Sequence, residues 1–382
     1  MNSNKKIGIV TYHCVDNFGA VLQAFALQKI LNKLSKLENE IIDYKPYFNY
    51  KGYSIINNPF VKNKSILLRF KILMSNFDIS QKIANIYRKK NFDKFRNRFL
   101  KLSSYSLNND KDLTYIDNYS VLITGSDQVF NTSIQKDNID RIYFLDIETK
   151  EIKKISYAAS LGKLPVKKEF EKLVAEKIGN LDFISIREKS GIEYLKKLIK
   201  NDISLCLDPT LLLNMDEWEN ISENISESEY ILVYDLEFNM NVVNIVNKIS
   251  DQLNKKVICF STRGKKYYTR YYKNFNSEGP LKFLTLIRCA DFIVTNSFHG
   301  TVFSIIFRKQ FVSIKNELRP ERAVDLLRTL NLNTRMIQFH DDINSEYFNR
   351  VIDYREPNDL LENEKLKSIQ FLKDSIGDHN EN

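Results

Sequence analysis

Residues 291–307, DFIVTNSFHGTVFSIIF, combine a short apolar run, a polar corner and a second apolar run. The first run is typical of a buried strand and the second of a buried helix, so the corner lies where that helix begins. Unpaired backbone N–H groups and the positive end of the helix dipole attract anions to such a corner. His299 can also donate a hydrogen bond or a proton there. The stretch predicts an α/β fold in which His299 handles a phosphate or carboxylate.

Strands and helices alternate on both sides of this corner, an order that favours parallel sheets. In the first half, the predicted strands are 7–11, 40–44, 121–124, 155–158, 183–186 and 205–207, and the predicted helices are 17–34, 169–178 and 189–199. In the second half, the predicted strands are 230–234, 257–260, 292–295 and 311–314, and the predicted helices are 242–253, 281–289, 301–307 and 322–330.

The chain has 382 residues, more than one hydrophobic core usually organises. The segment Asp208-Pro209-Thr210 interrupts the alternation, and the pattern then starts again. We therefore predict a first Rossmann-like domain over 1–210 and a second over 211–345, which carries the corner at His299. Residues 346–382 are predicted to form a helix, at about 360–376, that packs back on the first domain and ends in a disordered tail.

Residues 62–101 are strongly basic, with twelve Lys or Arg and only two Asp. Isoleucines 79, 83 and 86 are spaced helically, as are phenylalanines 92, 95 and 99. This pattern predicts a helical insertion at about 60–101 with one apolar and one basic face. The basic face is either an ordinary solvated surface or a contact with an anionic membrane or a lipid-linked diphosphate. The net charge of +9 likewise favours an anionic partner or reflects an ordinary solvated surface.

Several function classes lack their sequence signatures. The four cysteines are far apart, which argues against zinc and iron–sulfur sites, and we predict no metal. The patterns G-x-G-x-x-G, G-x-x-x-x-G-K-[ST] and G-x-S-x-G are absent, which disfavours nicotinamide, P-loop and α/β-hydrolase chemistry. With neither a signal peptide nor a membrane-spanning run, we expect a cytoplasmic protein that can contact the inner face of the membrane peripherally.

Four polar segments follow predicted strands, where open α/β sheets bind ligands. They are residues 13–23, 125–128, 187–191 and 297–301. Each has an ordinary structural alternative; Asp127, for example, could simply cap a turn. Together they predict a ligand-binding edge.

The ordered motifs resemble the polysaccharide pyruvyl transferase family over about residues 7–335. The resemblance rests on the whole set and its spacing, because each motif alone is short. The motifs are Tyr12-His13 with NFGAVLQA at 17–24, GSDQVFN at 125–131, SYAAS at 156–160, REKSG at 187–191, DPTLLL at 208–213 and TNSFHGT at 295–301.

The resemblance implies a fold similar to GT-B glycosyltransferases, with two Rossmann-like domains facing a cleft and the acceptor on the first domain. It implies transfer of a pyruvyl group from phosphoenolpyruvate to two hydroxyls of one sugar, which forms a cyclic ketal and releases phosphate. Acceptors in the family are lipid-linked saccharides or glycans of the cell wall, capsule or exopolysaccharide. Phosphoenolpyruvate is then a co-substrate, and no cofactor is needed.

The resemblance also implies roles for residues. By resemblance, Arg187 and His299 should hold the donor. Our own candidates for the general acid and the general base are His299 and Asp127. Some family members have Arg at the position of Ser297, so we expect the Ser297 hydroxyl, backbone amides or Lys315 to replace that contact here. We infer Lys315 from its place after the next predicted strand and not from the resemblance. The remaining expected donor contacts are Phe298, Gly300 and Thr301. The expected acceptor contacts are His13, Asp16, Asn17, Gly19, Gln23, Ser126 and Gln128.

Three other functions fit parts of the sequence. A glycosyltransferase of the same fold would use a nucleotide sugar, and a non-catalytic homologue would only bind glycans. Residues 263–273 interleave cations with aromatic residues, a pattern that can bind nucleic acid strands. In an α/β enzyme this segment fits a loop over a sugar or diphosphate, or a plain surface loop, so we predict no nucleic acid partner.

Overall fold

The computed structural model describes residues 6–46, 79–107, 116, 118–135, 139–147, 151–236, 240–260, 267–315, 321–338 and 350–377. The chain divides into two compact units. The first comprises Met1–Arg187, Gly191–Pro209 and Phe371–Asn382, and the second comprises Glu188–Ser190 and Thr210–Gln370. The predicted domain bounds at 210 and 345 stay predictions.

The first unit contains a parallel sheet with seven strands among the described residues. They are β1 (Lys6–Val10), β2 (Asn39–Tyr44), β3 (Leu102–Leu107), β4 (Tyr119–Gly125), β5 (Lys153–Ala159), β6 (Phe183–Ile186) and β7 (Ile203–Leu205). Their order is β3-β2-β1-β4-β5-β6-β7, which is the Rossmann order with one strand added at the edge. Successive strands are therefore added toward one edge up to β3 and toward the other edge from β4 onward. The order reverses between β1 and β4, where sheets of this type bind ligands.

The helices of this unit are α1 (Phe18–Leu34), α2 (Ile79–Phe99), α3 (Lys168–Gly179) and, from Gly191 onward, α4 (Lys189–Leu195). Both α1 and the central strands are buried, as their near-continuous apolar sequences predict. Helix α2 lies in the predicted basic insertion, whose residues 60–78 lie outside the described residues.

The second unit contains a six-stranded parallel sheet within the described ranges. Its strands are β8 (Tyr230–Tyr234), β9 (Lys256–Cys259), β10 (Tyr271–Asn274), β11 (Phe292–Thr295), β12 (Gln310–Ile314) and β13 (Met336–Ile337). The order β10-β9-β8-β11-β12-β13 repeats the Rossmann pattern, so the reversal lies between β8 and β11. The helices are α5 (Met215–Glu219), α6 (Met240–Leu253), α7 (Pro280–Cys289), α8 (Phe298–Ile306), α9 (Glu321–Thr329) and α10 (Arg355–Ile376).

These sheets confirm the predicted fold class of two Rossmann-like α/β units. The cleft expected between them stays a prediction. The end of α10 belongs to the first unit, where the Phe371 ring lies 6.3 Å from Tyr157 and 6.5 Å from Phe183, centroid to centroid. The tail beyond residue 377 lies outside the described residues. Of the helices described, none has both the length and the apolar character of a membrane span.

The prediction of a single apolar face on α2 is wrong in one respect. The rings of Phe92 and Phe95 are buried, whereas Ile83 and Ile86 are exposed. Residues 83 and 92 are nine positions apart, which is half a turn out of phase at 3.6 residues per turn. Ile83 and Ile86 therefore lie on the face of α2 opposite Phe92 and Phe95.

Candidate functional site

Gln23 joins the two loops at the reversal point of the first sheet. Its side-chain amide donates to Thr11 Oγ1 at 2.7 Å, just after β1. Its Oε1 accepts from the backbone N–H of Ser126 at 3.2 Å, just after β4. Because Gln23 is fully buried on α1, it fixes the relative position of both loops rather than contacting solvent.

The turn after β4 has a backbone that few residues could adopt. Gly125 has a φ of 135°, and a Cβ there would lie 2.0 Å from the Tyr157 carbonyl oxygen. Asp127 has a φ of 65°, in the left-handed region. Ser126 and Gln128 are buried, whereas the Asp127 side chain keeps 15% of its surface exposed. The turn thus presents Asp127 at the edge of the sheet where the strand order reverses.

Arg187 and Asp208 form a buried ion pair beside this turn. The Arg187 guanidinium donates through Nη1 to Asp208 Oδ2, and Ser126 Oγ donates to the same oxygen at 3.0 Å. Nη2 of Arg187 lies 3.8 Å from Asp127 Oδ1. The Arg187 guanidinium is therefore paired with one carboxylate and lies near a second. Asp208 was missing from the predicted site, although it stands in the Asp-Pro-Thr motif.

His13 and Asp16 have other contacts. The His13 ring is buried, with Nδ1 3.1 Å from the Thr11 carbonyl oxygen and Nε2 3.1 Å from Asp43 Oδ1. Arg96 of α2 pairs with the Asp16 carboxylate and donates to the His13 carbonyl oxygen at 3.0 Å. These contacts favour a structural role for His13 over the predicted contact with an acceptor.

Asp43 is the charged partner of that histidine. Burial alone would raise the pKa of Asp43, but hydrogen bonds from His13, Lys45 and Ser106 outweigh it and hold the pKa below its ordinary value. The hydrogen bond between His13 and Asp43 thus ties the loop between β1 and α1 to the end of β2.

The remaining predicted acceptor contacts build local structure. Asn17 is the N-cap of α1 and accepts from the Ala20 N–H at 3.2 Å. Gly19 is buried in the first turn of that helix. The Gln128 Oε1 accepts from Asn131 Nδ2 at 2.8 Å. Among the residues predicted for the first unit, Asp127 best combines a reactive group, an exposed surface and a position at the sheet edge.

The corner after β11 is built around Ser297 and Gly300. Ser297 caps α8, and its Oγ accepts from the Gly300 N–H at 3.4 Å. A Cβ at Gly300 would lie 2.3 Å from Thr295 Oγ1, so only glycine lets the helix start this close to the strand. Thr301 is fully buried and shares a 2.8 Å hydrogen bond with Ser313, which makes it a support for the corner.

His299 lies in the first turn of α8, as predicted. It is 7% exposed, and its ring meets the Phe298 ring edge-on with centroids 5.1 Å apart. The Arg322 guanidinium lies over the Phe298 ring, 5.5 Å from its centroid. The structure thus places His299 among the buried polar residues of the corner.

Two further residues belong to this edge of the second sheet. Asn296 Nδ2 donates to Asp235 Oδ1 at 2.7 Å, and Asn296 Oδ1 accepts from the Leu236 N–H at 2.9 Å. This contact bridges the ends of β8 and β11, at the reversal point. Asp235 was not predicted, although it directly follows a strand as the other site residues do. Lys315 directly follows β12, the neighbour of β11, so its backbone lies at the same edge.

The predicted residues thus fall into two groups. Gln23, Ser126, Asp127 and Arg187 come together in the first unit, and residues 297–301 with Lys315 gather at one edge in the second. The described residues contain no group of three or more His, Cys, Asp or Glu side chains placed to hold a metal ion.

The family model for polysaccharide pyruvyl transferase matches residues 17–317. The match covers most of the chain, so the protein belongs to the polysaccharide pyruvyl transferase family. Membership supports a transferase that acts in pyruvyl transfer on polysaccharide, at the level of the family. A search of curated proteins gives no significant match.

Solved structures of low sequence identity align with the chain. UDP-GlcNAc 2-epimerase from Neisseria meningitidis, bound to UDP-GlcNAc, is 9% identical, with 97% of this chain and 99% of that chain covered and a TM-score of 0.48. The Methanocaldococcus jannaschii epimerase in complex with UDP-GlcNAc and UDP is 13% identical, with 94% and 98% covered and a TM-score of 0.46. The N-terminal domain of Candida albicans trehalose-6-phosphate phosphatase is 9% identical, with 98% and 99% covered and a TM-score of 0.47. At these values the likenesses carry no argument about ligand or reaction.

Proposed function

We propose that the protein transfers a pyruvyl group from phosphoenolpyruvate to two hydroxyls of one sugar and releases phosphate. The single observation that carries this proposal is an imidazole, His299, in the first turn of a helix that starts at the reversal point of a Rossmann sheet. Phosphoenolpyruvate carries both a phosphate and a carboxylate, and such groups favour N–H donors and a positive helix end. Family membership supports the same transfer.

The donor would bind in the second unit. Phe298 and His299 bring backbone N–H groups of the first helical turn to the sheet edge, while Ser297 and Gly300 shape that turn through their capping contact. Lys315 would add a cation after the neighbouring strand. His299 would donate a proton or a hydrogen bond to the donor. Thr301 would stabilise this corner through the hydrogen bonds of its hydroxyl with the Ser297 carbonyl oxygen and with Ser313 Oγ.

The acceptor would be activated in the first unit. Asp127 is our proposed base for the sugar hydroxyls, because its carboxylate is partly exposed at the reversal point. Arg187 was expected to hold the donor, and its geometry supports a different main role. Paired with Asp208 and 3.8 Å from Asp127, it would position the base. The Arg187→Ala substitution then lowers kcat more than it raises the donor KM.

The reaction balances without a redox partner. The methylene carbon of phosphoenolpyruvate takes a proton and becomes a methyl group while positive charge develops at the neighbouring carbon. One sugar oxygen bonds to that carbon and loses its proton. Phosphate leaves with the electron pair of its C–O bond, and the second hydroxyl closes the ketal. Of the two hydroxyl protons, one ends on the methyl group and one on phosphate. Each step needs a general acid or base, the roles proposed for His299 and Asp127.

We further propose that the acceptor is a saccharide attached to a lipid diphosphate, made on the cytoplasmic side for capsule, exopolysaccharide or cell wall. The net charge of +9 suits a diphosphate-bearing acceptor. No cofactor enters the proposed reaction, because phosphoenolpyruvate itself supplies the transferred group.

The proposal is tested by incubating the protein with phosphoenolpyruvate and a panel of glycosides, with and without a lipid diphosphate. We expect acceptor-dependent phosphate release and a ketal product in the mass spectrum. His299→Ala should abolish turnover while the fold, followed by circular dichroism, is kept. Ser304→Ala, one turn further along α8, is the matched control and should keep turnover.

Other outcomes would replace the proposal. Nucleotide release from a nucleotide sugar, with phosphoenolpyruvate inert, would indicate a glycosyltransferase. Glycan binding without turnover, unchanged in His299→Ala, would indicate a non-catalytic homologue.

A further inference from the structure

Helix α2 is attached to the first unit by one aromatic face. The Phe92 ring lies 5.1 Å from that of Phe18, and the Phe95 ring lies 6.1 Å from that of Phe25, both on α1. Arg96, also buried, reaches back to the loop after β1. These contacts fix the rotation of α2 about its own axis, so its opposite face is held toward solvent.

That opposite face carries large apolar side chains and cations together. Ile83, Ile86 and Tyr87 are 49%, 67% and 56% exposed. Lys90, Lys94 and Arg98 are also exposed. Residues 83, 87, 90, 94 and 98 are three or four positions apart, so they form one stripe along the helix. At 1.5 Å per residue the stripe is about 22 Å long. We call these six residues the basic–apolar face.

The charge on this face is not neutralised by acidic residues of its own helix. The only acidic residue in the α2 sequence is Asp93. Its carboxylate lies 2.7 Å from the buried Arg96 and 3.3 Å from Lys89, both outside the stripe. Three cations of the stripe therefore face solvent beside three exposed apolar side chains.

We propose that the basic–apolar face binds the surface of an anionic lipid bilayer. Isoleucine and tyrosine side chains insert at the level of the headgroups, while lysine and arginine pair with lipid phosphates. A protein interface fits less well, because lysine is depleted at the centre of such interfaces. Pairing with a second copy would bring two cationic stripes together. The surface does not depend on the reaction proposed above, and it would bring the enzyme to acceptors held in a membrane.

Vesicle sedimentation with the full chain tests the proposal. The protein should bind vesicles of phosphatidylcholine with phosphatidylglycerol and bind weakly to phosphatidylcholine alone. The variant Lys90→Gln/Lys94→Gln/Arg98→Gln should lower the partition coefficient roughly 100-fold, since each cation near an anionic surface contributes about fivefold. Its matched control, Lys196→Gln/Lys197→Gln/Lys200→Gln, removes the same charge from another exposed stretch of the first unit and should stay within roughly threefold of wild type.

A second pair of variants tests the apolar part. The variant Ile83→Ser/Ile86→Ser should lower binding at least roughly tenfold at high salt, where charge attraction is screened. Tyr87→Trp adds a reporter whose emission should shift to the blue on anionic vesicles. The natural Trp218 is fully buried and gives a constant background.

Three outcomes would overturn the proposal. The control triple variant could lose as much binding as the α2 variant, which would indicate bulk charge only. Wild type could fail to bind anionic vesicles. It could also form a dimer in sedimentation that Ile83→Ser/Ile86→Ser dissociates, which would make a second copy the occupant. Phosphate release with an acceptor that has no lipid should be unchanged in every α2 variant, so this test is separate from that of the reaction.

Discussion

The Asp208→Asn substitution probes the ion pair that holds the candidate base. Asparagine keeps the shape of the side chain and an acceptor for Ser126 but leaves the Arg187 guanidinium buried without its main counter-charge. Breaking such a buried pair costs about 3–5 kcal/mol in unfolding free energy. Because Asp127 lies 3.8 Å from the same guanidinium and offsets part of the charge, we expect the lower end, about 3 kcal/mol.

A double-mutant cycle separates the pair from its surroundings. Arg187→Met leaves Asp208 buried without its cation and should also cost about 3 kcal/mol. The double variant Arg187→Met/Asp208→Asn leaves neither charge uncompensated, so its cost should fall below the sum of the single costs by about 2 kcal/mol or more.

Hydrogen exchange of the β4 backbone amides, followed during a denaturant titration, measures the unfolding free energy of the first unit. Trp218, fully buried against Phe303 in the second unit, gives a fluorescence reading of that unit from the same sample. Single costs below about 1 kcal/mol, or a double variant equal to the sum of the singles, would refute a tightly coupled Arg187–Asp208 pair.

Two further substitutions test the packing at Gly300 and the ionisation of Asp43. Gly300→Ala places a Cβ 2.3 Å from Thr295 Oγ1, so it should lower the free energy of unfolding by about 1–3 kcal/mol and lower Tm. The control is Gly179→Ala, where the nearest heavy atom to the added Cβ is 3.5 Å away, and it should leave Tm nearly unchanged. Equal Tm shifts in the two variants would contradict this expectation. The lowered pKa of Asp43 means that its stabilising contribution is complete above the unfolded-state pKa of about 4 and is lost as pH falls through the folded-state pKa. Thermal melts at decreasing pH should therefore show a smaller acid-induced loss in Asp43→Asn than in wild type, and parallel curves would contradict the assignment.

The sequence predicted the sheet centres better than their edges. Strands β1, β4, β8 and β11 are buried apolar runs, and each was predicted within two residues. The edge strand β10, Tyr-Tyr-Lys-Asn, was missed because an exposed edge needs no apolar period. The order of strands in each sheet cannot be predicted from the local sequence pattern, because it depends on pairing between distant segments.

The sequence indicates where the candidate site residues lie relative to the strands, but not which residues they contact. That Asp127 and His299 follow buried strands is readable from sequence. That Gln23 bonds Ser126, 103 residues away, and that Arg187 pairs with Asp208, is set by the packing of several strands. The burial of Thr301 and His13 likewise depends on neighbours that no motif names.

In the proposed reaction, the start of α8 captures an enol phosphate at His299. The most direct measurement is a crystal structure of the protein with phosphoenolpyruvate. We expect the phosphate or carboxylate within hydrogen-bond distance of the His299 ring and of the backbone N–H groups of Phe298 and His299. A donor bound elsewhere, with the Ser297–His299 corner untouched, would contradict it.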